Sequence, residues 1–280
     1  MMVMACLMMT ACEKVVMPLS DGNGDESPRK EITFHIEGSF RQTRGYLQAD
    51  GDDMTDVWVL DYVDGECVQS IHQVLADEDF GEVTMALPYG THNLYFVASR
   101  GTSPTLDTEA HAVTWERPSD TFWHGRELEV SSASSNNLAV TLDRVATKLK
   151  ITVLDKVPAG TATLALTPAA WYYGLDYLTG EPTEQRSNQE RTVNVPASYI
   201  GTSGALTMGI YGLSGGNVWN TDVSVVANNA SGEAVGTATI TAAPFRANRM
   251  TEYTGKLFTN NGHMELSLNA EWLESVTGTW

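Results

Sequence analysis

Short alternations of apolar and polar residues, rather than helical periods, run through most of this chain. In residues 31–37, Ile32, Phe34 and Ile36 alternate with polar neighbours, which is typical of a strand with one buried face. Comparable runs occur at 57–63, 67–74, 82–87, 92–99, 127–130, 138–145, 148–155, 161–167, 191–195, 206–212, 222–228, 233–241, 253–258 and 264–272. No apolar run keeps a helical period, so the pattern predicts an all-β chain.

Turn residues and the grouping of these runs predict two domains. Asp64-Gly65 separates two of the runs, which is a strong signal for a tight hairpin. The runs fall into two groups, and 280 residues are enough to bury two cores. We therefore predict an N-terminal β-sandwich at residues 31–145 and a C-terminal β-sandwich at residues 146–280.

The first eleven residues form an uncharged and mostly apolar segment, which is followed by Cys12 and then by polar sequence. The segment is too short to span a bilayer, and it ends in the small residues Thr10 and Ala11, as an export signal does. We predict a signal peptide at residues 1–11 and a linker at residues 12–30. An N-terminal apolar strand or a frayed terminus that contains a buried cysteine is the alternative.

The residues Met-Thr-Ala-Cys at 9–12 resemble the lipobox of bacterial lipoproteins. The resemblance implies that the sulfur of Cys12 carries a diacylglycerol and that Cys12 is the first residue of the mature protein. With Cys6 in the signal peptide and Cys12 acylated, Cys67 is left alone. A single thiol excludes a disulfide framework and a cysteine-rich metal site.

The charge of the chain is strongly unbalanced. There are 35 Asp and Glu residues against 17 Lys and Arg residues, which gives a formal net charge of −18. A surface this acidic repels phosphate backbones, so nucleic acid is excluded as a partner. The charge is compatible with cations, proteins or sugars as partners.

Sequence motifs for catalysis and metal binding are incomplete. Residues 212–216, Gly-Leu-Ser-Gly-Gly, match the G-x-S-x-G elbow of hydrolases, but that motif needs a helix after the serine. Residues 218–227 continue as a strand instead, so a hairpin turn is favoured. The histidines lack metal-binding spacing, and the acidic run at 21–32 lacks the glycine and final glutamate of an EF-hand loop. We predict no enzymatic activity, no metal and no cofactor.

Aromatic residues cluster at Trp171, Tyr172, Tyr173 and Tyr177. A patch of this kind stacks on a sugar ring when its faces are exposed, and Trp171 and Tyr173 are the candidates for that role. Aromatic residues at this density are more often core residues of a sandwich, which is the interpretation favoured here.

The order of several segments resembles a known family. These segments are the lipobox, ITFHIEG (32–38), VWVLDYVDGECV (57–68), YGTHNLYFVAS (89–99), LDRVATKLKITV (142–153) and FRANRMTEYTGKLF (245–258). From Cys12 to Trp272, the chain is similar to the fimbrillin superfamily of Bacteroidales, in its branch of fimbrial anchor and minor-subunit lipoproteins. The resemblance implies two tandem transthyretin-like, Greek-key β-sandwiches in a non-catalytic fimbrial subunit at the outer-membrane surface. The implied partners are other fimbrial subunits and, through Cys12, outer-membrane lipid.

Pilins of this family polymerise by strand exchange. A protease cuts after an arginine behind the first strand, and the vacated groove accepts a strand of the next subunit. The resemblance places Ile32, Phe34 and Ile36 as groove-filling residues, and Arg41 and Arg44 as processing sites. An ordinary exposed turn is the alternative for the arginines, and it is favoured for an anchor, which keeps its lipid and first strand. The primary prediction is thus an anchor or accessory subunit, and the alternative is a surface lipoprotein whose loops bind polysaccharide or a host ligand.

Overall fold

The computed structural model describes residues 27–37 and 54–259, together with the backbone of residues 264–267. Nearly all regular structure in these ranges is strand, which confirms the all-β prediction. A short 3₁₀ turn lies at Ala197–Tyr199. In the same ranges, no helix has the length and apolar character needed to span a bilayer.

Twenty strands, numbered in chain order, make up the described part of the chain. Their bounds are Arg29–Glu37 (β1), Asp56–Val63 (β2), Glu66–Val74 (β3), Glu82–Pro88 (β4), Gly90–Ser99 (β5), Thr105–Asp107 (β6), Ala112–Thr114 (β7), Thr121–Val130 (β8), Asn137–Thr141 (β9), Asp143–Arg144 (β10), Ala146–Val153 (β11), Thr161–Pro168 (β12), Ala170–Asp176 (β13), Pro182–Ser187 (β14), Arg191–Asn194 (β15), Leu206–Leu213 (β16), Trp219–Asn229 (β17), Ala234–Phe245 (β18), Arg249–Gly255 (β19) and Met264–Ser267 (β20). Four of them, β6, β7, β13 and β14, have no counterpart among the predicted runs.

Four of the five sheets in the described ranges form two face-to-face pairs. In the first pair, the sheet β4-β1-β9 packs on the sheet β10-β8-β5-β2-β3, and Phe34, Met85 and Phe96 are buried between them. In the second pair, the sheet β16-β11-β19-β20 packs on the sheet β15-β12-β17-β18 around another apolar core. Both pairs are β-sandwiches, as predicted. The transthyretin-like detail and the domain limits 31–145 and 146–280 remain predictions.

The two sandwiches repeat one strand topology. In the first, β1 lies between antiparallel β4 and parallel β9. In the second, β11 lies between antiparallel β16 and parallel β19. The facing sheets also correspond, since the order β8-β5-β2-β3 matches the order β18-β17-β12-β15. The first strand of each half is therefore central and has a hydrogen-bonded neighbour on both sides.

A fifth sheet, β14-β13-β7-β6, contains strands from both halves of the chain. Leu175 of β13 lies opposite Val113 of β7, and both belong to an apolar cluster that also contains Trp115. The hydroxyl groups of Tyr62 and Tyr177 form a buried hydrogen bond of 2.7 Å within this cluster. Separating the two sandwiches would expose this shared core to water, so apolar burial holds them together.

Candidate functional site

The candidate site is the groove between β4 and β9, which β1 fills. Phe34 of β1 lies opposite Val83 of β4 on one side and opposite Leu138 of β9 on the other. The ladder to β4 is antiparallel, and the ladder to β9 is parallel. Because both edges of β1 are paired, removing this one strand leaves two unpaired edges, one on each neighbour.

The inner face of β1 supplies three apolar side chains to the core. Ile32 and Phe34 are fully buried, and Ile36 is 8% exposed. The ring of Phe34 packs edge-on against the ring of Phe96 in the facing sheet, with centroids 5.3 Å apart. Burying an aliphatic or aromatic side chain of this size contributes about 1.5–3 kcal/mol. The three buried side chains therefore stabilise β1 in its groove more than any single surface contact does.

The outer face of β1 is polar and forms cross-strand pairs. The hydroxyl groups of Thr33 and Thr84 are 2.8 Å apart, so one donates to the other. His35 has Nε2 3.1 Å from Oδ1 of Asn137 and Nδ1 3.5 Å from Oε1 of Glu82. These pairs connect β1 to both neighbours, but they are solvent-exposed and each is worth about 1 kcal/mol or less. The outer face therefore adds only weakly to the pairing of β1 with its neighbours.

Backbone hydrogen bonds hold the two ends of β1. At its start, the amide of Tyr89 donates to the carbonyl of Pro28 at 3.0 Å. Towards its end, the amide of Ile36 donates to the carbonyl of Gly81 at 2.9 Å. Hydrogen bonds thus hold β1 near both of its ends. One involves the residue that follows β4, and the other involves the residue that precedes β4.

A buried ion pair supports the end of β4 beside the start of β1. His92 and Asp61 have side chains that are each 1% exposed, and Nδ1 of His92 lies 2.8 Å from Oδ1 of Asp61. The other ring nitrogen, Nε2, lies 2.9 Å from the carbonyl oxygen of Pro88, which is paired with Arg29 of β1. With an acceptor at each nitrogen, the imidazolium donates from both.

The environment of His92 favours this charged form. Burial opposes the charge, but the hydrogen bond and negative charge of Asp61, together with the Pro88 carbonyl, outweigh it and raise the pKa of His92. The apolar alternation does not reveal this pair, because the two residues lie on different strands. The available signal is the single charge of Asp61 inside the apolar run 57–63.

Three predicted site residues lie outside the described residues. These are the lipid-attachment residue Cys12 and the processing residues Arg41 and Arg44. Their roles remain predictions. Ile32, Phe34 and Ile36 are described, and the structure brings them together on the buried face of β1.

The two candidate ligand aromatics are core residues. Trp171 is 2% exposed and Tyr173 is 5% exposed. Nε1 of Trp171 donates to the carbonyl of Tyr211 at 2.8 Å, and its ring packs edge-on against Phe245 with centroids 4.9 Å apart. Neither ring has an open face on which a sugar can stack, because both side chains are almost fully buried and the guanidinium of Arg186 lies 4.4 Å from the centroid of the Tyr173 ring. The core interpretation of this aromatic patch therefore applies to both residues.

The serine of the G-x-S-x-G match is also buried. Ser214 has no exposed surface, and its hydroxyl accepts a hydrogen bond of 2.9 Å from Nε1 of Trp219. Trp219 opens β17, so a strand follows the motif where a hydrolase needs a helix. In the described ranges, no three His, Cys, Asp or Glu side chains converge in a geometry suited to a metal ion.

Comparison with known proteins finds similarity in structure only. No protein-family model matches the chain, and no curated protein sequence does so either. A candidate adhesin from Bacteroides ovatus is similar in structure, with a TM-score of 0.54, 12% identity and coverage of 86% of this chain and 88% of that chain. The chain shares the fold of this candidate adhesin.

Two further solved structures are similar. One is a candidate polysaccharide-binding protein from Bacteroides thetaiotaomicron, with a TM-score of 0.51, 8% identity and coverage of 85% of this chain and 95% of that chain. The other is the tip fimbrial protein Mfa3 from Porphyromonas gingivalis, with a TM-score of 0.46, 12% identity and coverage of 88% and 100%. At these identities the likeness concerns the fold alone. The fold shared with the two structures from Bacteroides agrees with the fold that the sequence resemblance implies.

Proposed function

We propose that this protein is a non-catalytic structural subunit of a cell-surface fimbria, in which β1 occupies the groove used for strand exchange. The observation that carries the proposal is the position of β1 between β4 and β9, with Ile32, Phe34 and Ile36 buried in the core. The fold shared with a candidate adhesin supports a role at the cell surface.

Strand exchange at this groove follows the physics of β-augmentation. When β1 leaves, β4 and β9 each present an unpaired edge, and the apolar core between the sheets opens to water. A strand with alternating apolar residues restores both ladders and refills the positions of Ile32, Phe34 and Ile36. Backbone pairing supplies much of the affinity, and the three buried side chains specify which segment fits.

The anchor or accessory role is the preferred form of this proposal. In that form Cys12 remains acylated at the outer membrane and β1 stays in its own groove. Two or more acyl chains give lasting attachment, whereas one chain gives only reversible binding. In the alternative form, cleavage after Arg44 discards the lipid together with β1, and the groove takes a strand from the next subunit.

Mass spectrometry of the protein from surface fractions of a Bacteroidales host distinguishes these forms. An acylated N-terminus at Cys12 supports the anchor, and a start at Gly45 with ladders on unboiled gels supports a polymerising subunit. Cys12→Ser releases the anchored protein from the membrane fraction, whereas the matched control Cys67→Ser leaves it there. A protein that stays in the cytoplasm, with neither modification, refutes both forms.

A second candidate function is polysaccharide binding at the cell surface. It is supported by the fold shared with a candidate polysaccharide-binding protein. A small pocket lined by Tyr173, Gln189 and Arg191 is a further observation in its favour. A glycan array with the full chain tests it, and the absence of binding to every glycan refutes it.

A further inference from the structure

One edge of the first sandwich is open where the matching edge of the second sandwich is closed. β9 is the counterpart of β19, since each is the parallel neighbour of the first strand of its half. β19 has a second neighbour, the antiparallel strand β20, whereas among the described residues β9 pairs with β1 alone. Other edge strands, such as β3 and its counterpart β15, are edges in both halves. The first sandwich therefore lacks the strand that closes this edge in the second.

The backbone of β9 turns alternately towards β1 and towards the open edge. The amide of Thr33 donates to the carbonyl of Asn136 at 2.7 Å, which fixes the phase of the parallel ladder. Every second residue then bonds to β1, so the backbone groups of Leu138 and Val140 are used there. The residues whose N–H and C=O groups point to the open edge are Asn137, Ala139 and Thr141.

Only the start of this edge is satisfied within the chain. The hydroxyl of Ser135 donates to the carbonyl of Asn137 at 2.8 Å and accepts from its amide at 3.2 Å. Across the described ranges, no hydrogen bond reaches the outward N–H and C=O groups of Ala139 and Thr141. Both residues are exposed. An unpaired edge of this kind is a template for another strand.

The other edge of the same sheet, at β4, is protected. β4 ends in Pro88, which has no N–H group, and begins with the charged residue Glu82. The guanidinium of Arg29 also donates to the carbonyl of Ala86 at 3.3 Å. β9 has none of these features, because residues 131–142 contain no Asp, Glu, Lys, Arg or Pro. Of the two edges of this sheet, β9 is thus the one that can accept a strand.

A strand added to β9 also covers apolar surface. Leu138 and Val140 face the core, but only Val140 is fully buried, at 2% exposed, while Leu138 is partly buried. On the closed edge, the core-facing residues Thr251 and Tyr253 of β19 are 0% and 6% exposed. Burial of the rest of Leu138 therefore adds to the backbone pairing at this edge.

We propose that β9 pairs in antiparallel orientation with β9 of a second copy of this chain, so that the sheet β4-β1-β9 continues from one copy into the other. The strand that closes the matching edge of the second sandwich is also antiparallel. A twofold axis between two copies produces the same orientation. Placing Ala139 opposite Thr141 of the second copy, and the reverse, satisfies the outward N–H and C=O groups of both residues.

Charge favours this segment as the place where two copies meet. The chain has a net charge of −18, so two copies repel each other over most of their surfaces. The uncharged segment 131–142 lets two strands approach, and salt screens the repulsion that remains. Strand exchange uses the edge of β9 that faces β1, whereas this contact uses the opposite edge. The inference therefore does not depend on the proposed fimbrial function.

Sedimentation velocity of the full chain measures the self-association, over a series of protein concentrations at low and at high salt. We expect a monomer of 30.5 kDa at the lowest concentrations. A dimer should accumulate as the protein concentration rises, and its share should increase with salt because the acidic copies then repel each other less. A monomer at every concentration and at both salt levels overturns the proposal.

Variants of Ala139 locate the contact. Ala139→Pro removes an outward N–H group and keeps the bonds to β1, so the dissociation constant of the dimer should rise about tenfold or more. Ala139→Lys leaves the backbone intact and should also weaken the dimer, because it brings two like charges together at the paired edges. Unchanged thermal melting shows that each variant is folded. A dimer that both variants leave unaltered lies on another surface and overturns the proposal.

Ala86→Pro is the matched control at the opposite edge of the sheet. The amide of Ile36 donates to the carbonyl of Gly81, so by alternation the N–H group of Ala86 points away from β1. The control thus makes the same substitution at an outward N–H of an edge strand and should leave the dimer intact. Loss of the dimer in Ala86→Pro, with no effect of Ala139→Pro, assigns the contact to β4 and overturns the proposal.

Hydrogen exchange measured by NMR distinguishes a second copy from other occupants of the edge. The amides of Ala139 and Thr141 should exchange rapidly in the monomer and become protected as the dimer forms. The amides of Leu138 and Val140 bond to β1 and should be protected at every concentration. Protection of Ala139 and Thr141 in the monomer shows that a strand of the same chain covers the edge, which overturns the second copy as its occupant.

Discussion

Truncation of Phe34 is the most direct test of the β1 groove. The side chain is fully buried, and its ring meets the ring of Phe96 across the sandwich. Replacing a buried phenylalanine by alanine costs about 3–5 kcal/mol, because apolar surface is lost and a cavity remains. A total stability of roughly 5–15 kcal/mol is typical of a folded protein, so Phe34→Ala removes a large share of it.

The matched control is Thr33→Ala on the opposite face of the same strand. Thr33 pairs with Thr84 through an exposed hydrogen bond of 2.8 Å. Its loss should cost only about 0.5–1 kcal/mol, since water replaces the partner. The two variants therefore change adjacent residues of one strand and differ mainly in whether the altered side chain faces the core.

Urea denaturation of the full chain measures both effects on the free energy of unfolding. In thermal melts, a loss of about 4 kcal/mol corresponds to a fall in Tm of roughly 10 °C, since each kcal/mol shifts Tm by about 2–4 °C in chains of this size. Hydrogen exchange should also show faster opening of β1 and of its neighbours β4 and β9. Equal effects of Phe34→Ala and Thr33→Ala, or faster exchange confined to the second sandwich, contradict the position assigned to β1.

Three other predictions concern contacts outside the β1 strand itself. Because the folded pKa of His92 is raised, the stability it contributes is fully present below its ordinary pKa of about 6.5 and is lost as the pH rises through the folded value. Urea denaturation across this range should show that loss in the wild type and not in His92→Gln; equal pH profiles refute the ion pair. Tyr62→Phe removes the 2.7 Å hydrogen bond to Tyr177 and should lower the free energy of unfolding by about 1–2 kcal/mol, and an unchanged value contradicts that contact. Gly212→Ala places a Cβ 2.5 Å from Nε1 of Trp171 and should lower Tm by several degrees, whereas a tolerated alanine shows that the indole is not fixed there.

The apolar pattern was sufficient to identify most strands and their buried faces. Ile32, Phe34 and Ile36 alternate in the sequence, and the structure buries the same three side chains. Alternation works here because successive side chains of a strand point to opposite faces, so a one-sided core leaves a period of two. The same periodicity argument applies after the hydrolase-like motif. The run that follows Ser214 has the pattern of a strand, and it forms β17.

The sheet that joins the two halves could not be predicted from local pattern. β6 and β7 have three residues each, which is too short for any period to appear. Their partner β13 lies beyond residue 168, and their burial comes from the shared cluster around Trp115 and Tyr177. Such strands are defined by distant partners rather than by their own sequence, so only the tertiary structure reveals them.

The sequence by itself thus determined the fold class, the buried face of β1 and the acidic surface, because each depends on local periodicity or on composition. The tertiary structure alone decided which strands flank β1, that His92 and Asp61 pair beside it, and that Trp171 and Tyr173 are covered. The physical reason is that these features join residues far apart in the chain, and their positions follow from sheet order and core packing rather than from any local run of residues.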